Sequence, residues 1–163
     1  FVAGSDEHDE KGELISDVLA GIPEHIDMRS RMMEKRMRKL ETALNEMNPP
    51  ELWGPKKADL TIVSWGSTQA AVRDALELLK EDGVTANSLE FFDLWPLRVE
   101  DARKALEAAS ATLIVEGNYT GQFHRLLRSE TGIRSDHEFL KYDGEPFYPR
   151  EVAQKVQEVL HGR

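Results

Sequence analysis

The amino-acid sequence predicts an α/β sandwich with a mainly parallel sheet, preceded by one long helix. From residue 58 onward, short apolar runs of strand type alternate with amphipathic runs of helix type. The strand-type runs recur about every 26 residues, which is close to the length of successive βαβ units. Glycine follows several of the helical patterns, at the position where a helix ends in a left-handed residue.

Four strands are predicted in this region. Three of them are rich in β-branched and apolar residues, as expected of strands covered on both faces, and the fourth is weaker. They are DLTIVSW, VTANSLEFF, ATLIVE and HEFLKY. A helical stripe follows each of them, and Pro149 opens the last helix, at a position that suits proline.

The chain divides into two predicted parts. Residues 1–57 form an N-terminal connecting segment with a long helix, and residues 58–163 form the α/β domain. The boundary is NPPELWGPKK, where three prolines and a glycine break any helix. Near the start lies an acidic cluster of hard-cation ligand types, but adjacent loop residues rarely converge on one ion, so a solvated loop is expected rather than a metal site. The cluster comprises Asp6, Glu7, His8, Asp9 and Glu10.

The long helix is predicted to carry an apolar seam. Its members recur at spacings of four and three, and they are Met33, Met37, Leu40, Leu44 and Met47. Between Met28 and Leu44, six basic residues oppose two acidic ones, a net +4 in a chain of -9. The acidic remainder would repel a polyanion, so docking of this helix on the chain's own domain or on a partner subunit is favoured over nucleic-acid binding.

Two strand-end turns are the candidate functional sites, because ligands bind at the carboxyl ends of strands in open parallel sheets. The first turn, WGST, offers the backbone N–H groups of Gly66, Ser67 and Thr68 to an anion. The same turn also serves as a helix start with no ligand, and both interpretations remain open.

The second turn, EGNYTGQ, supplies the interface candidates Glu116, Asn118, Gly121 and Gln122. A carboxylate near a helix N-terminus suits capping, and it suits phosphate binding poorly because like charges repel. A structural role that presents the turn to a partner subunit is therefore expected, with no catalytic residue in the chain. His124 and His137 are expected to be surface or structural groups.

Composition excludes several functions. The chain contains no cysteine, so it holds no disulfide, cysteine-ligated zinc or thiolate-held iron–sulfur cluster, which fits a cytoplasmic protein. Its net charge of -9 argues against nucleic-acid binding. No apolar run approaches the roughly 20 residues of a membrane span.

Five blocks of the sequence carry a family resemblance. In order, they are EHDEKG, DMRSRMMEKRMRKL, VSWGST, VEGNYTGQFHRLLR and KYDGEPFYPREV. The chain resembles the C-terminal part of the α subunit of 2-oxoacid:ferredoxin oxidoreductases, particularly the 2-oxoglutarate type. The resemblance implies a three-layer α/β/α fold with a mixed sheet, like the C-terminal domain of transketolase.

The resemblance also implies an enzyme that decarboxylates a 2-oxoacid on thiamine diphosphate with Mg²⁺, passes electrons through iron–sulfur clusters to ferredoxin and forms an acyl-CoA. The implied partners are the β subunit and the rest of the α subunit. The family's diphosphate motif contains GDG and lies in the β subunit, and this chain has neither that motif nor cysteine. It is therefore expected to be inactive alone and to support assembly, with a non-catalytic small-molecule or anion-binding module as the alternative.

Overall fold

The computed structural model describes residues 23–162. The chain forms two compact units, Phe1–Glu46 and Met47–Arg163. The acidic cluster of residues 6–10 lies outside the described residues. In the first unit, helix α1 spans Pro23–Leu44 and contains the predicted seam residues from Met33 to Leu44. The prediction that the helical seam continues to Met47 is wrong, because the chain leaves the helix after Leu44 and forms a turn.

The second unit alternates strands and helices. Its elements are β1 (Glu51–Trp53), β2 (Leu60–Trp65), α2 (Thr68–Glu81), β3 (Ala86–Phe91), α3 (Val99–Glu107), β4 (Thr112–Glu116), α4 (Gln122–Thr131), β5 (His137–Leu140) and α5 (Pro149–His161). The four predicted strands are present as β2 to β5, each within the predicted run.

The five strands form one sheet in the order β1-β3-β2-β4-β5. Strand β1 pairs antiparallel with β3, and the other three pairings are parallel. The sheet is therefore mainly parallel and mixed, and the predicted fold class is confirmed. Because β2 and β4 are neighbours, the turns that follow them lie at the same edge of the sheet.

Apolar side chains fill both faces of the sheet, which explains why β2 and β4 read as continuous apolar runs. One face packs against α2 and α5 through residues such as Ile62, Val72 and Val152. The opposite face packs against α3 and α4 through residues such as Val63, Leu106 and Leu127. The alternation places Val115 on the α2/α5 side and Ile114 on the α3/α4 side.

Strand β1 was not predicted from the sequence, and it lies before the predicted domain start at residue 58. The strand has three residues and all of them are exposed. It therefore lacks the run of apolar residues by which a buried strand is recognised in a sequence. It joins the sheet through backbone pairing of Glu51, Leu52 and Trp53 with β3. Its side chains at Leu52 and Trp53 are 47% and 49% exposed.

Much of the apolar surface of the α1 seam is exposed. Met33, Met37 and Leu44 are 40%, 49% and 37% exposed, and Leu40 is half-buried. The covering surface that the sequence predicts for this seam stays a prediction. Within residues 23–162, no helix combines the length and the apolar character that crossing a membrane requires.

Candidate functional site: the carboxyl edge of the sheet

The turns after β2, β4 and β5 meet at the carboxyl edge of the sheet. A cavity of about 610 Å³ opens between them, and its lining includes Ser67, Thr68, Gly117, Lys141 and Tyr142. The structure thus brings two of the predicted anion-binding residues together with the turn after β4. It does not bring the side chain of Glu116 into this cavity, because that side chain is fully buried on the other side of the turn.

Glu116 closes the N-terminus of α4. The backbone N–H groups of Phe123 and His124 donate to its two carboxylate oxygens at 2.9 and 2.7 Å. The side-chain amide of Asn118 donates to the same carboxylate at 2.7 Å. Period-two alternation explains the direction, since Glu116 shares the α3/α4 face of β4 with Ile114.

Asn118 completes the helix cap. Its carbonyl oxygen accepts the N–H of Gln122, the first residue of α4, at 3.1 Å. Gly121 precedes the helix with φ of 59°, a left-handed conformation that glycine adopts without strain. Glu116 and Asn118 together therefore bind the first three N–H groups of α4, which an ordinary helix leaves without an intrahelical partner.

The turn after β2 is built differently. Gly66 is left-handed with φ of 59°, and the Ser67 side chain forms no cap hydrogen bond to α2. The Thr68 hydroxyl donates backward to the Trp65 carbonyl at 2.7 Å. The start of α2 therefore faces the cavity without a side-chain cap.

Lys141 lies at this edge as half of an ion pair. Its ammonium donates to both carboxylate oxygens of Glu151 at 2.9 and 2.8 Å, and to the Pro146 carbonyl at 2.9 Å. The hydrogen bond to Glu151 raises the pKa of Lys141. The same bond, helped by the backbone N–H of Tyr148, lowers the pKa of Glu151. The positive charge of Lys141 is therefore already compensated within the chain.

The pH dependence of stability follows from this pair. A lowered Glu151 pKa means that its contribution is complete above the unfolded value of 4.5 and is lost as pH falls through the folded pKa. Glu151→Gln is expected to lower the melting temperature at pH 7, and the difference from wild type should shrink between pH 4.5 and pH 3. Thermal melts across this range measure it. Glu107→Gln, at an exposed acid at the end of α3, is the control. A Glu151→Gln difference that stayed constant down to pH 3 would contradict the assignment.

Large aromatic side chains are exposed along this edge. All of them follow strand ends, and they are Phe92, Trp95, Tyr119, Tyr142 and Tyr148, each 48% to 69% exposed. Tyr119 and Tyr142 contact each other edge to face, with ring centroids 4.7 Å apart. Exposed aromatic clusters of this kind are typical of protein interfaces rather than of monomer surfaces.

His124 is a structural group, as the sequence suggests, but its partners could not be read from sequence. Its Nε2 accepts the Ser135 N–H at 3.1 Å, and its Nδ1 lies 2.9 Å from a Glu138 oxygen. A ring nitrogen that accepts a backbone N–H carries no proton, so the imidazole is neutral and donates from Nδ1.

A half-buried ion pair that was not predicted from the sequence lies on the α2 side of the sheet. The Arg73 guanidinium donates to both oxygens of Glu90 at 2.9 and 2.6 Å, and Glu90 is fully buried on β3. This hydrogen bonding raises the pKa of Arg73. Arg73 also lies 4.1 Å from the centre of the Trp53 ring. The sequence feature that could have indicated this ion pair is an acid, Glu90, within the otherwise uncharged predicted strand VTANSLEFF.

Metal-ligating side chains do not converge within the part of the chain that the structure describes. Between residues 23 and 162, no three His, Cys, Asp or Glu side chains are placed to hold a metal ion. The N-terminus of α4, which would attract a diphosphate, is already occupied by the Glu116 carboxylate. No cysteine is present to ligate a cluster.

This architecture is that of a transketolase C-terminal-like α/β/α domain. A solved transketolase from Pichia stipitis superposes with a TM-score of 0.52 over 69% of this chain and 18% of its own, at 19% identity, which shows the fold alone. No family model matches the chain.

Relatives give the family. The chain is 35% identical over 158 residues, 94% of its length, to 2-oxoacid:ferredoxin oxidoreductase 2, subunit alpha, of Aeropyrum pernix. It is 34% identical to the solved alpha chain of a probable 2-oxoacid ferredoxin oxidoreductase from Thermoplasma acidophilum, covering 69% of this chain and 97% of that one with a TM-score of 0.50. The chain belongs to the family of 2-oxoacid:ferredoxin oxidoreductase α subunits.

A further structural neighbour is the 2-oxoglutarate:ferredoxin oxidoreductase of Magnetococcus marinus, solved with 2-oxoglutarate, coenzyme A and succinyl-CoA. It is 27% identical, with a TM-score of 0.72 over 93% of this chain and 25% of its own. The present chain spans about a quarter of the length of the curated relatives that it matches, 23% in the Aeropyrum protein.

Proposed function

We propose that this chain is the C-terminal part of the α subunit of a 2-oxoglutarate:ferredoxin oxidoreductase and serves its assembly rather than its chemistry. The whole enzyme decarboxylates the 2-oxoacid on thiamine diphosphate and Mg²⁺, reduces ferredoxin through iron–sulfur clusters and forms an acyl-CoA. The named 2-oxoglutarate enzyme of Magnetococcus marinus, similar along 93% of this chain, supports the choice of substrate.

The assembly role is argued from the burial and the hydrogen bonding of the Glu116 carboxylate. Its two carboxylate oxygens accept three hydrogen bonds from the α4 turn, and its side chain is fully buried. A carboxylate used in this way neither contacts a substrate nor exchanges a proton with one. The acid at the ligand-binding edge of the sheet therefore builds the turn, and the turn carries the exposed Tyr119.

The partners follow from the same surface. We assign the carboxyl-edge aromatic residues to contact with the β subunit or with the rest of the α subunit, because aromatic side chains are enriched at interface cores. Ferredoxin is the electron acceptor of the complex, and nothing in this chain is assigned to bind it.

The isolated chain is expected to be catalytically silent. Purified chain is mixed with thiamine diphosphate, Mg²⁺, CoA, 2-oxoglutarate and a viologen dye, and dye reduction is followed by absorbance. The expected rate equals that of the blank, because the chemistry belongs to a cofactor for which these residues form no site. The assembled enzyme is the positive control, and turnover by the chain alone would overturn the proposal.

The α1 seam gives a separate prediction. Fully burying an apolar side chain contributes about 1.5–3 kcal/mol, and a helix gains most of its stability from such burial. Met37→Asp with Leu40→Asp is expected to lower the melting temperature or to dissociate an oligomer. Melting curves and light-scattering mass measure this, with exposed Lys39→Asp as the control. Unchanged melting temperature and mass would show that the seam is solvent-exposed and would reopen the nucleic-acid interpretation.

One observation favours a second candidate, a non-catalytic small-molecule-binding module. The cavity of about 610 Å³ beside Ser67 and Thr68 lies where parallel sheets bind ligands. Its one lysine is compensated by Glu151, which disfavours an anion there. The length of the native gene product separates the two candidates, since a free-standing module needs no further α-subunit domains.

A further inference from the structure

A second, smaller cavity of about 220 Å³ lies beside α4, and Gly121 of the turn after β4 forms part of its lining. Its charged and polar lining comprises Arg125, Arg128, Arg134, His124, Glu138 and Thr120. Arg125 and Arg128 are one helical turn apart on α4, and Arg134 lies on the connection from α4 to β5. The fold therefore brings three guanidinium groups to one depression.

The three arginines are exposed, and none of them forms a hydrogen bond or ion pair with any other residue of the described part, 23–162. Two other arginines of the same unit are paired, Arg73 with the Glu90 carboxylate and Arg98 with Asp101. The cavity therefore brings together three exposed arginines in a chain whose net charge is -9.

The charge of the residues that line this cavity determines which ligands it can bind. Three arginines are positive, Glu138 is negative, and His124 is neutral because its Nε2 accepts the Ser135 N–H. The cavity therefore carries two net positive charges. Like charges at one site repel each other, and a dianion placed between them removes that repulsion.

We propose that this arginine pocket binds the dianionic phosphoryl group of a small phosphorylated molecule. Guanidinium groups bind phosphoryl oxygens through paired hydrogen bonds, and several of them together match a tetrahedral anion. The α4 N–H groups contribute nothing, since Glu116 and Asn118 already bind the first three. The volume is below the roughly 300–1,000 Å³ of sites for whole ligands, so the pocket holds the phosphoryl end only.

Inorganic phosphate is the probe that tests the pocket. The full 163-residue chain is titrated at pH 7.5 and constant ionic strength, and amide chemical shifts are followed by NMR. Saturable shifts are expected at residues 120–138, with the dissociation constant raised at least tenfold in Arg128→Gln. Arg150→Gln removes the same charge from an exposed arginine on α5, outside the pocket, and should bind like wild type.

A parallel titration with malonate tests the chemistry of the anion. Malonate is a dicarboxylate of the same charge, and it is expected to bind at least tenfold more weakly than phosphate. Malonate binding as tight as phosphate would overturn the assignment to a phosphoryl group and point to an acidic protein surface instead. Absence of saturable phosphate binding, or an equal loss in Arg128→Gln and Arg150→Gln, would overturn the site itself. Preserved amide spectra in both variants show that they fold.

Discussion

Glu116→Ala is expected to lower the free energy of unfolding by about 3–5 kcal/mol. The substitution leaves the N–H groups of Phe123 and His124 buried without an acceptor, and an unsatisfied buried donor costs about 1–3 kcal/mol. It also removes the anion that complements the helix dipole at the start of α4. Urea unfolding of the purified chain, followed by circular dichroism, measures the change.

Two variants make this result specific. Glu116→Gln keeps the size and one carbonyl oxygen but turns an amide toward a backbone donor, so we expect a smaller loss of about 1–3 kcal/mol. Glu107→Ala removes an exposed acid from α3 and should change stability by less than about 0.5 kcal/mol. A Glu116→Ala variant as stable as Glu107→Ala would show that the cap hydrogen bonds contribute nothing.

The sequence predicted the location of Glu116 and a capping role for it, but not the face of the sheet on which its side chain lies. Apolar β-branched runs marked the ends of β2 and β4, so both turns could be placed at one edge of the sheet. The face on which each side chain lies depends on alternation along the strand and on which helix covers that face. Glu116 and Ile114 lie on the same face of β4, and α4 covers that face. The opposite face is covered by α2. The acid therefore caps α4 and does not line the cavity beside Ser67.

Other features depend on contacts that no local pattern carries. Strand β1 has three exposed residues and joins the sheet only because β3 offers it an edge. The Arg73–Glu90 pair connects residues 17 positions apart across two layers. The arginine pocket is formed by residues of α4 and of the connection that follows it. No rule of sequence spacing predicts that Arg134 lies close to Arg125.

The second large effect concerns the exposed pair Tyr119 and Tyr142. Changing both to Ser is expected to weaken assembly with the remaining subunits by at least tenfold, because aromatic residues dominate interface energetics at about 2 kcal/mol or more each. The stability of the isolated chain should change little, since the two side chains are 69% and 64% exposed. Analytical ultracentrifugation of the reconstituted enzyme measures the affinity. Glu107→Ala, which removes an exposed side chain at the end of α3 and leaves every aromatic residue of the edge intact, is the control.

The turnover of that same double variant, expressed per assembled complex, tests the assembly role most directly. Reconstitution is performed at subunit concentrations high enough to restore the complex, and 2-oxoglutarate-dependent viologen reduction is divided by the amount of complex. If the edge serves assembly, turnover per complex equals that of wild type while affinity falls. Wild-type affinity with turnover lost at least tenfold would contradict the account and place the carboxyl edge in the chemistry of the enzyme.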